Sequence, residues 1–205
     1  MKIELLGIPG SGKTTWVESY LNSSNAVAPL EIYLYSHSRI IRNLNKLSLS
    51  IYYFKRERSQ FLKFWKLINQ LTFPTFKIKI KMFVYLISTL GVLSKSEKFD
   101  DIVIDEGISQ VLWGICYNIS DRKLDNLNNL IAELSPYFGS HLIFLNGDKE
   151  VIYKRLIARN TWGGSELQHD IVENKELLDT GIKIADQIFE RVSLYFESIE
   201  VKLVG

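Results

Sequence analysis

The stretch that decides the fold is Gly7-Ile8-Pro9-Gly10-Ser11-Gly12-Lys13-Thr14. An apolar run, Ile3 to Leu6, precedes it and ends at glycine, which is typical of a buried strand. Lys13 to Leu21 follows with apolar side chains at helical spacing. Glycines let successive backbone N–H groups point at an anion, and the helix N-terminus adds a partial positive charge. The sequence therefore predicts a strand, a phosphate-binding loop and a helix in direct succession.

Two side chains of this loop have specific tasks in nucleotide binding. Lys13 would bridge the β- and γ-phosphates of ATP, and the Thr14 hydroxyl would ligate Mg²⁺. ATP and Mg²⁺ are therefore the expected cofactors. A coincidental glycine-rich turn is the alternative, and the strand and helix on either side argue against it. The residues expected to hold the nucleotide are Gly7, Pro9, Gly10, Ser11, Gly12, Lys13, Thr14 and Thr15.

A pair of carboxylates follows another apolar run. Asp105 closes Ile102-Val103-Ile104, at the edge of a parallel sheet where ligands bind. We expect Asp105 to hold the Mg²⁺ together with Thr14. Glu106 comes next and could polarise an attacking hydroxyl or water if it lies within about 3 Å. The alternative for Glu106 is a solvated carboxylate in the loop.

Two arginines lie one helical turn apart on a helix that Asp148 is expected to cap. Arg155 and Arg159 project from one face, so both guanidinium groups could clamp one phosphate during transfer. The alternative is a solvated face that pairs with Glu150 or Glu173. A polar loop, predicted for residues 160–170, follows this helix.

Strands alternate with helices along the chain, which predicts an α/β fold with a parallel sheet covered on both faces. Helices are predicted at 108–117, at 121–137 and from about residue 171 to Tyr195. Between the second and third strands, apolar residues recur at helical spacing, and 76–91 is interpreted as helix although it starts with strand-like alternation. The five predicted strands are 3–6, 31–35, 101–105, 141–145 and 199–204.

Composition sets further bounds on the protein. The chain has 205 residues, enough for one domain with a sizeable core. One cysteine cannot form an internal disulfide, and no signal-peptide pattern opens the sequence, so a cytoplasmic location is expected. Neither a transmembrane run nor a zinc-type ligand cluster is found in the sequence. The net charge of +2 hides a basic insert, residues 37–98, with 13 Lys or Arg against two acidic residues.

The order of these motifs resembles the P-loop nucleoside and nucleotide kinases, and thymidylate-kinase-like proteins most closely. The resemblance covers roughly residues 1–35 and 99–205. It implies a three-layer core with a five-stranded parallel sheet in the order 2-3-1-4-5. It also implies a mobile lid at 155–170 that carries Arg155 and Arg159, and an acceptor pocket between the lid and the segment after the second strand.

The departures from this family concern the acceptor. Thymidylate kinases usually show Asp-Arg where this chain has Asp105-Glu106, and deoxynucleoside kinases often carry a glutamate where it has Ser36-His37-Ser38. Arg39 and Arg42 lie just beyond the second predicted strand and are the expected substrate ligands. The basic and aromatic insert is either an ordinary helical subdomain or a surface for anionic lipid, nucleic acid or a phosphorylated substrate.

The sequence leaves two functions as the main alternatives. The first is a kinase that transfers the γ-phosphate of ATP to a nucleoside, nucleotide or other small-molecule hydroxyl or phosphate, with Lys13, Asp105, Glu106, Arg155 and Arg159 as catalytic residues. The second is an ATPase or nucleotide-dependent switch that acts on nucleic acid, a membrane surface or a protein partner. A GTPase is less favoured, since residues 145–148 lack the guanine-reading lysine. The acceptor and the oligomeric state stay open, with a homodimer among the alternatives.

Overall fold

A computed structural model gives the structure of the chain and describes residues 1–35, 38–160 and 166–204, without the side chains of residues 39, 159, 160, 166–169 and 204. In these ranges the strands are β1 (Lys2–Leu6), β2 (Ile102–Ile104), β3 (His141–Gly147) and β4 (Ser198–Val204). The helices are α1 (Lys13–Ser23), α2 (Pro29–Tyr33), α3 (Arg39–Arg56), α4 (Arg58–Gln70), α5 (Phe76–Ser96), α6 (Ile108–Asn118), α7 (Asn128–Leu134), α8 (Lys149–Asn160), α9 (Glu166–Glu173) and α10 (Glu176–Val192).

The strands form one parallel sheet in the order β2-β1-β3-β4. β1 lies between β2 and β3, so that its residue Ile3 pairs with Val103 of β2 on one side and with His141 of β3 on the other. All strands therefore end at the same edge of the sheet. The phosphate-binding loop follows β1 at that edge, and the Asp105-Glu106 pair follows β2 beside it.

Side chains alternate between the two faces of the sheet, and helices pack on both faces, so the fold has three layers. On one face, Leu5, Val103 and Ile143 pack with Val17 of α1. On the other face, Leu6 and Phe144 join the larger core that includes residues of α5, α6 and α10. The predicted α/β architecture with helices on both faces is confirmed.

The predicted strand at 31–35 is wrong, and with it the five-stranded sheet and the order 2-3-1-4-5. Pro29 begins α2 instead, because its fixed φ and missing N–H suit a first helical position. Leu30 and Leu34, four residues apart, are each 1% exposed on the inner face of this turn. The sheet edge beside β2 is met by a single parallel bridge from Val27 to Ile102.

Three helices fill most of the insert. α3 and α4 are joined at Glu57, and α5 begins after Thr75, whose hydroxyl accepts from the Ile78 N–H over 3.2 Å. The helical interpretation of 76–91 is therefore confirmed. α3 packs along α5, and α5 packs against α6, so that the insert joins the core through α5.

Other predicted elements differ in detail. The predicted helix at 121–137 is divided into a 3₁₀ turn, α7 and a second 3₁₀ turn. The predicted cap is confirmed, because Asp148 Oδ1 accepts from the N–H groups of Glu150 and Val151 over 2.8 and 3.1 Å. The polar loop predicted for 160–170 is wrong from Glu166, where α9 begins, while residues 161–165 lie outside the described ranges. Within the part of the chain that is described, no helix is long and apolar enough to cross a membrane.

Candidate active site

Glycine is required at two points of the loop by its backbone conformation. Gly10 and Gly12 have φ values of 87° and 89°, in the left-handed region that other residues rarely adopt. Ser11 lies between them, and its N–H donates to the Ile8 carbonyl over 3.1 Å. The Trp16 N–H then donates to the Gly12 carbonyl over 2.9 Å, so α1 starts directly from the loop.

The start of the loop is held by contacts that leave no room for a side chain. A Cβ on Gly7 would lie 2.5 Å from Ser11 Oγ and 2.8 Å from the Leu145 carbonyl. The Gly7 N–H donates to Oε1 of the buried Gln110 over 3.3 Å. The helix after the carboxylate pair, α6, therefore fixes the phosphate-binding loop.

The Lys13 side chain lies over its own loop. Its ammonium donates to the carbonyls of Gly7 and Ile8, the latter over 3.1 Å. The positive charge of Lys13 also lowers the pKa of Asp105, so the two groups are electrostatic neighbours. The loop and the end of β2 thus lie next to each other, and their joint role as a nucleotide and Mg²⁺ site stays a prediction.

Each carboxylate of the pair accepts a hydrogen bond from a tyrosine. The Tyr35 hydroxyl donates to Asp105 Oδ2 over 3.3 Å, and the Tyr85 hydroxyl donates to Glu106 Oε2 over 3.4 Å. Burial and the charge of Glu106 raise the pKa of Asp105 to about 6, against the opposing effects of Lys13 and Tyr35. Burial, followed by the charge of Glu106, also raises the pKa of both tyrosines, so both stay protonated donors.

A buried carboxylate beneath this turn holds it in place. Glu4 of β1 is 0% exposed and accepts from the N–H groups of Ser109, at the start of α6, and Gly139. Burial raises the pKa of Glu4, while Lys2 and these hydrogen bonds oppose the rise. Gly107 passes so close that its Cβ would lie 2.4 Å from Glu4 Cγ and Cδ.

Basic residues approach Glu106 from the insert. The Lys46 ammonium of α3 lies 5.5 Å from the centre of the Tyr85 ring, whose hydroxyl bonds Glu106. Burial lowers the pKa of Lys46, Glu106 raises it, and Arg42 and Lys81 lower it further. Lys46 is therefore an electrostatic neighbour of Glu106, and Arg42 and Lys81 are in turn neighbours of Lys46.

A cavity of about 660 Å³ opens on the other side of the loop. Arg155 and Ala158 of α8 line it, opposite Trp16 of α1. Lys202 of β4 also lines it, with its ammonium 5.1 Å from the centre of the Trp16 ring. This cavity is large enough and apolar enough to receive the base of a nucleotide whose phosphates lie on the loop.

The remaining predicted residues are placed as follows. Thr14 and Thr15 are exposed in the first turn of α1, Thr15 lines the cavity, and Pro9 is half-buried in the loop turn. Arg42 is half-buried near Lys46. Arg39 begins α3 and Arg159 belongs to α8, but both side chains lie outside the description, so the arginine clamp and the lid stay predictions.

The donor set fits Mg²⁺ bound together with a nucleotide. Among the described residues, no group of three or more His, Cys, Asp or Glu side chains could hold a metal without help. Mg²⁺ commonly takes one or two protein oxygens with the phosphates of its substrate, and Thr14 and Asp105 offer such oxygens. The buried Ser11 Oγ has no hydrogen-bond partner in this structure, inside the loop that would surround those phosphates.

Sequence reasoning missed several of the residues that build this site. Tyr35 falls in the predicted strand at 31–35, and the helical patterns of the insert give no specific role to Tyr85 or Lys46. The sequence does indicate a structural role for Glu4, because a carboxylate in the middle of a buried strand needs hydrogen-bond partners. The same reasoning applies to the polar side chain of Gln110, which lies inside an apolar helical run.

Comparisons with known proteins bear on the fold. No family model and no curated protein matches the chain. A solved structure of deoxyadenosine kinase from M. mycoides with the products dCMP and a flexible dCDP is 14% identical over 100% of this chain and 90% of that chain, with a TM-score of 0.57. With dATP bound, that kinase is 15% identical over 100% and 90%, with a TM-score of 0.56. With dCTP bound, it is 15% identical over 100% of this chain and 89% of that chain, with a TM-score of 0.50. The chain therefore has the fold of a P-loop nucleoside kinase, and these identities are too low to carry the activity across.

Proposed function

We propose that this protein is an ATP-dependent kinase that transfers the γ-phosphate to a nucleoside or nucleotide. The observation that carries the proposal is that each carboxylate of the pair has a different lysine as its electrostatic neighbour. Lys13 of the loop interacts with Asp105, while Lys46, which has Arg42 as a neighbour, interacts with Glu106. A kinase needs a donor site and an acceptor site that share one reacting centre, whereas an ATPase needs only the first.

On the donor side, the loop N–H groups and Lys13 bind the phosphates, and Thr14 and Asp105 hold the Mg²⁺. The bound MgATP supplies the phosphoryl group, with its charge partly neutralised by the metal. A pKa of about 6 leaves Asp105 mostly ionised at neutral pH, as a metal ligand must be. Arg155 and Arg159 are proposed to stabilise the charge of the transferred group, with the base of ATP in the cavity that Arg155 lines.

On the acceptor side, Glu106 is proposed to accept the proton of an attacking hydroxyl. Tyr85 donates to its Oε2, so Oε1 is the oxygen that is proposed to accept this proton. Arg39, Arg42 and Lys46 are proposed ligands for polar or anionic groups of the acceptor. An acceptor phosphate would already be ionised and would need no base, so the dependence of the rate on Glu106 separates the two acceptor classes.

Two features support the kinase over the rival ATPase or switch. Glu106 accepts a hydrogen bond from Tyr85 and interacts with Lys46, a cation that could bind an acceptor. The fold is also that of solved deoxyadenosine kinases. Thymidylate-kinase-like specificity stays a prediction, because the Asp105-Glu106-Gly107 run departs from that family.

The proposal is tested by a screen of acceptors with ATP and Mg²⁺. Nucleosides, nucleotides, sugars and polyprenyl alcohols are each added, and ADP is measured. We expect ADP formation that depends on a nucleoside or nucleotide and is abolished by Lys13→Ala. Hydrolysis of ATP that needs no acceptor and is stimulated by DNA or anionic vesicles would favour the rival function.

A further inference from the structure

The last strand, β4, leaves one edge of the sheet without a neighbour. Within the described residues, its seven residues pair only with β3. Native edge strands are usually short, bulged, interrupted by proline or covered, because their unpaired backbone groups can bind other strands. β4 contains no proline, and its register with β3 runs without a bulge. Its outer side, which we call the β4 edge, is therefore suited to pairing with another strand.

The hydrogen bond of Ser198 determines which backbone groups lie on the β4 edge. The Ser198 N–H donates to the Ser140 carbonyl over 3.2 Å, so it points toward β3. Successive residues of a strand direct their N–H and C=O groups alternately to the two sides. The N–H and C=O groups of Ile199, Val201 and Leu203 therefore point away from β3, toward the β4 edge.

The same three residues form an apolar row on one face of the sheet. Ile199 and Val201 pair with Leu142 and Phe144 of β3, so their side chains share the face of the larger core. Ile199, Val201 and Leu203 are nevertheless 45%, 52% and 85% exposed. Successive apolar positions beside an unpaired strand edge indicate a surface that another strand would cover.

The charges on the other face of β4 identify a second copy as that strand. Glu200 and Lys202 lie on the face of α1, where the Lys202 ammonium is 5.1 Å from the centre of the Trp16 ring. In an antiparallel pair centred on Val201, Glu200 of each copy would lie opposite Lys202 of the other. A centre at Glu200 or at Lys202 would set like charges opposite each other, which is unfavourable. The sequence of β4 therefore complements itself in this register.

We propose that β4 pairs antiparallel with β4 of a second copy about a two-fold axis at Val201, so that the sheet continues through both copies. Each copy contributes the same surface, as a two-fold interface requires. Ile199 of one copy lies opposite Leu203 of the other, and the two apolar rows stay on one face. All three residues with outward backbone groups then exchange N–H···O=C bonds with the residues opposite them. This contact occupies the β4 edge of both copies, so the assembly closes at two.

The pairing would add a wall to the cavity beside the phosphate-binding loop. Lys202 and Leu203 line that cavity, and Ile199 of the second copy would lie opposite Leu203 at its margin. If the base of ATP binds there, as proposed above, nucleotide binding and pairing would each favour the other. The pairing itself does not depend on the kinase activity, and it is tested without ATP.

Exchange of charges tests the register, with the full chain studied by sedimentation velocity over a range of concentrations. We expect the wild type to form a particle of twice 23.7 kDa. Glu200→Lys and Lys202→Glu each set like charges opposite each other and should weaken association by about tenfold or more. An equimolar mixture of the two variants restores opposite charges and should associate as the wild type does. The control Glu173→Lys makes the same charge change at an exposed position of α9 and should leave association unchanged.

Amide hydrogen exchange of the wild type, followed by NMR, tests the hydrogen bonds without any variant. Between dilute and concentrated protein, the amides of Ile199, Val201 and Leu203 should slow by about tenfold or more. A wild type that stays a monomer at all concentrations overturns the proposal. A dimer in which these amides stay unprotected also overturns it, because another surface then joins the copies. Single variants that are folded by circular dichroism but fail to associate when mixed contradict the register.

Discussion

The hydroxyl of Tyr85 donates a hydrogen bond to Oε2 of Glu106 over 3.4 Å, while the Tyr85 ring faces the Lys46 ammonium. This contact joins the insert to the turn after β2. The orientation of the proposed base therefore depends on α5, the helix of the insert that precedes β2. Tyr35 makes the equivalent contact with Asp105.

Removal of either hydroxyl should have a distinct kinetic effect. In Tyr85→Phe, Glu106 loses its donor, so we expect kcat with a hydroxyl acceptor to fall about tenfold while the KM for MgATP stays unchanged. In Tyr35→Phe, Asp105 loses its donor, so the dependence on Mg²⁺ should change instead. Steady-state kinetics of both variants, with Mg²⁺ and acceptor varied separately, measure this. Equal effects on both dependences would contradict the assignment of separate roles.

The Asp105 carboxyl should make the stability of the protein without nucleotide and metal depend on pH. Its pKa rises from 3.8 to about 6 on folding, so the folded state binds more protons than the unfolded state between these values. The free energy of unfolding therefore falls as the pH rises through that window. Asp105→Asn has no carboxyl group to ionise, so the variant should be more stable than wild type at pH 7 by up to about 3 kcal/mol, with no gain below about pH 4.

Urea unfolding of wild type and Asp105→Asn at both pH values, without Mg²⁺ and nucleotide, measures this difference. The variant should also lose phosphoryl transfer, because an amide cannot replace the carboxylate at the metal. A variant that is less stable than wild type at pH 7 would contradict the raised pKa of Asp105 in the folded state.

Two glycines on either side of the start of α6 allow a matched test of packing around Glu4. A methyl group at Gly107 would lie 2.4 Å from Glu4, whereas one at Gly114 would only touch the Tyr85 ring at 3.5 Å. We expect Gly107→Ala to destabilise the fold by about 2 kcal/mol through overpacking. Gly114→Ala, in the interior of α6, should be neutral or stabilise by about 0.5–1 kcal/mol. Thermal and urea unfolding measure both, and equal effects would contradict the tight contact at Gly107.

Local sequence patterns predicted the part of the site that depends on local backbone geometry. The loop from Gly7 to Thr14 and the pair after β2 require particular residues at fixed offsets from a strand, and the structure brings them together. The strand predicted at 31–35 is wrong. Its β-branched and aromatic residues favour a strand, but the burial of Leu30 and Leu34 in the folded protein selects a helical turn after Pro29.

Long-range contacts account for what the sequence could not predict. Tyr85 lies 21 residues before Glu106, and Gln110 reaches Gly7 across 103 residues. No local pattern reports such pairs. The same holds for the outer face of α3, whose helical spacing suggested a core stripe but whose side chains are exposed.

In the proposed reaction, phosphate passes from ATP to a nucleoside or nucleotide acceptor. The most direct measurement is mass spectrometry of that acceptor after incubation with Mg²⁺ and ATP that carries ¹⁸O in its γ-phosphate. We expect one labelled phosphoryl group on the acceptor with the wild-type protein and none with Lys13→Ala. Label that appears only in inorganic phosphate, with every acceptor unchanged, would contradict transfer to an acceptor.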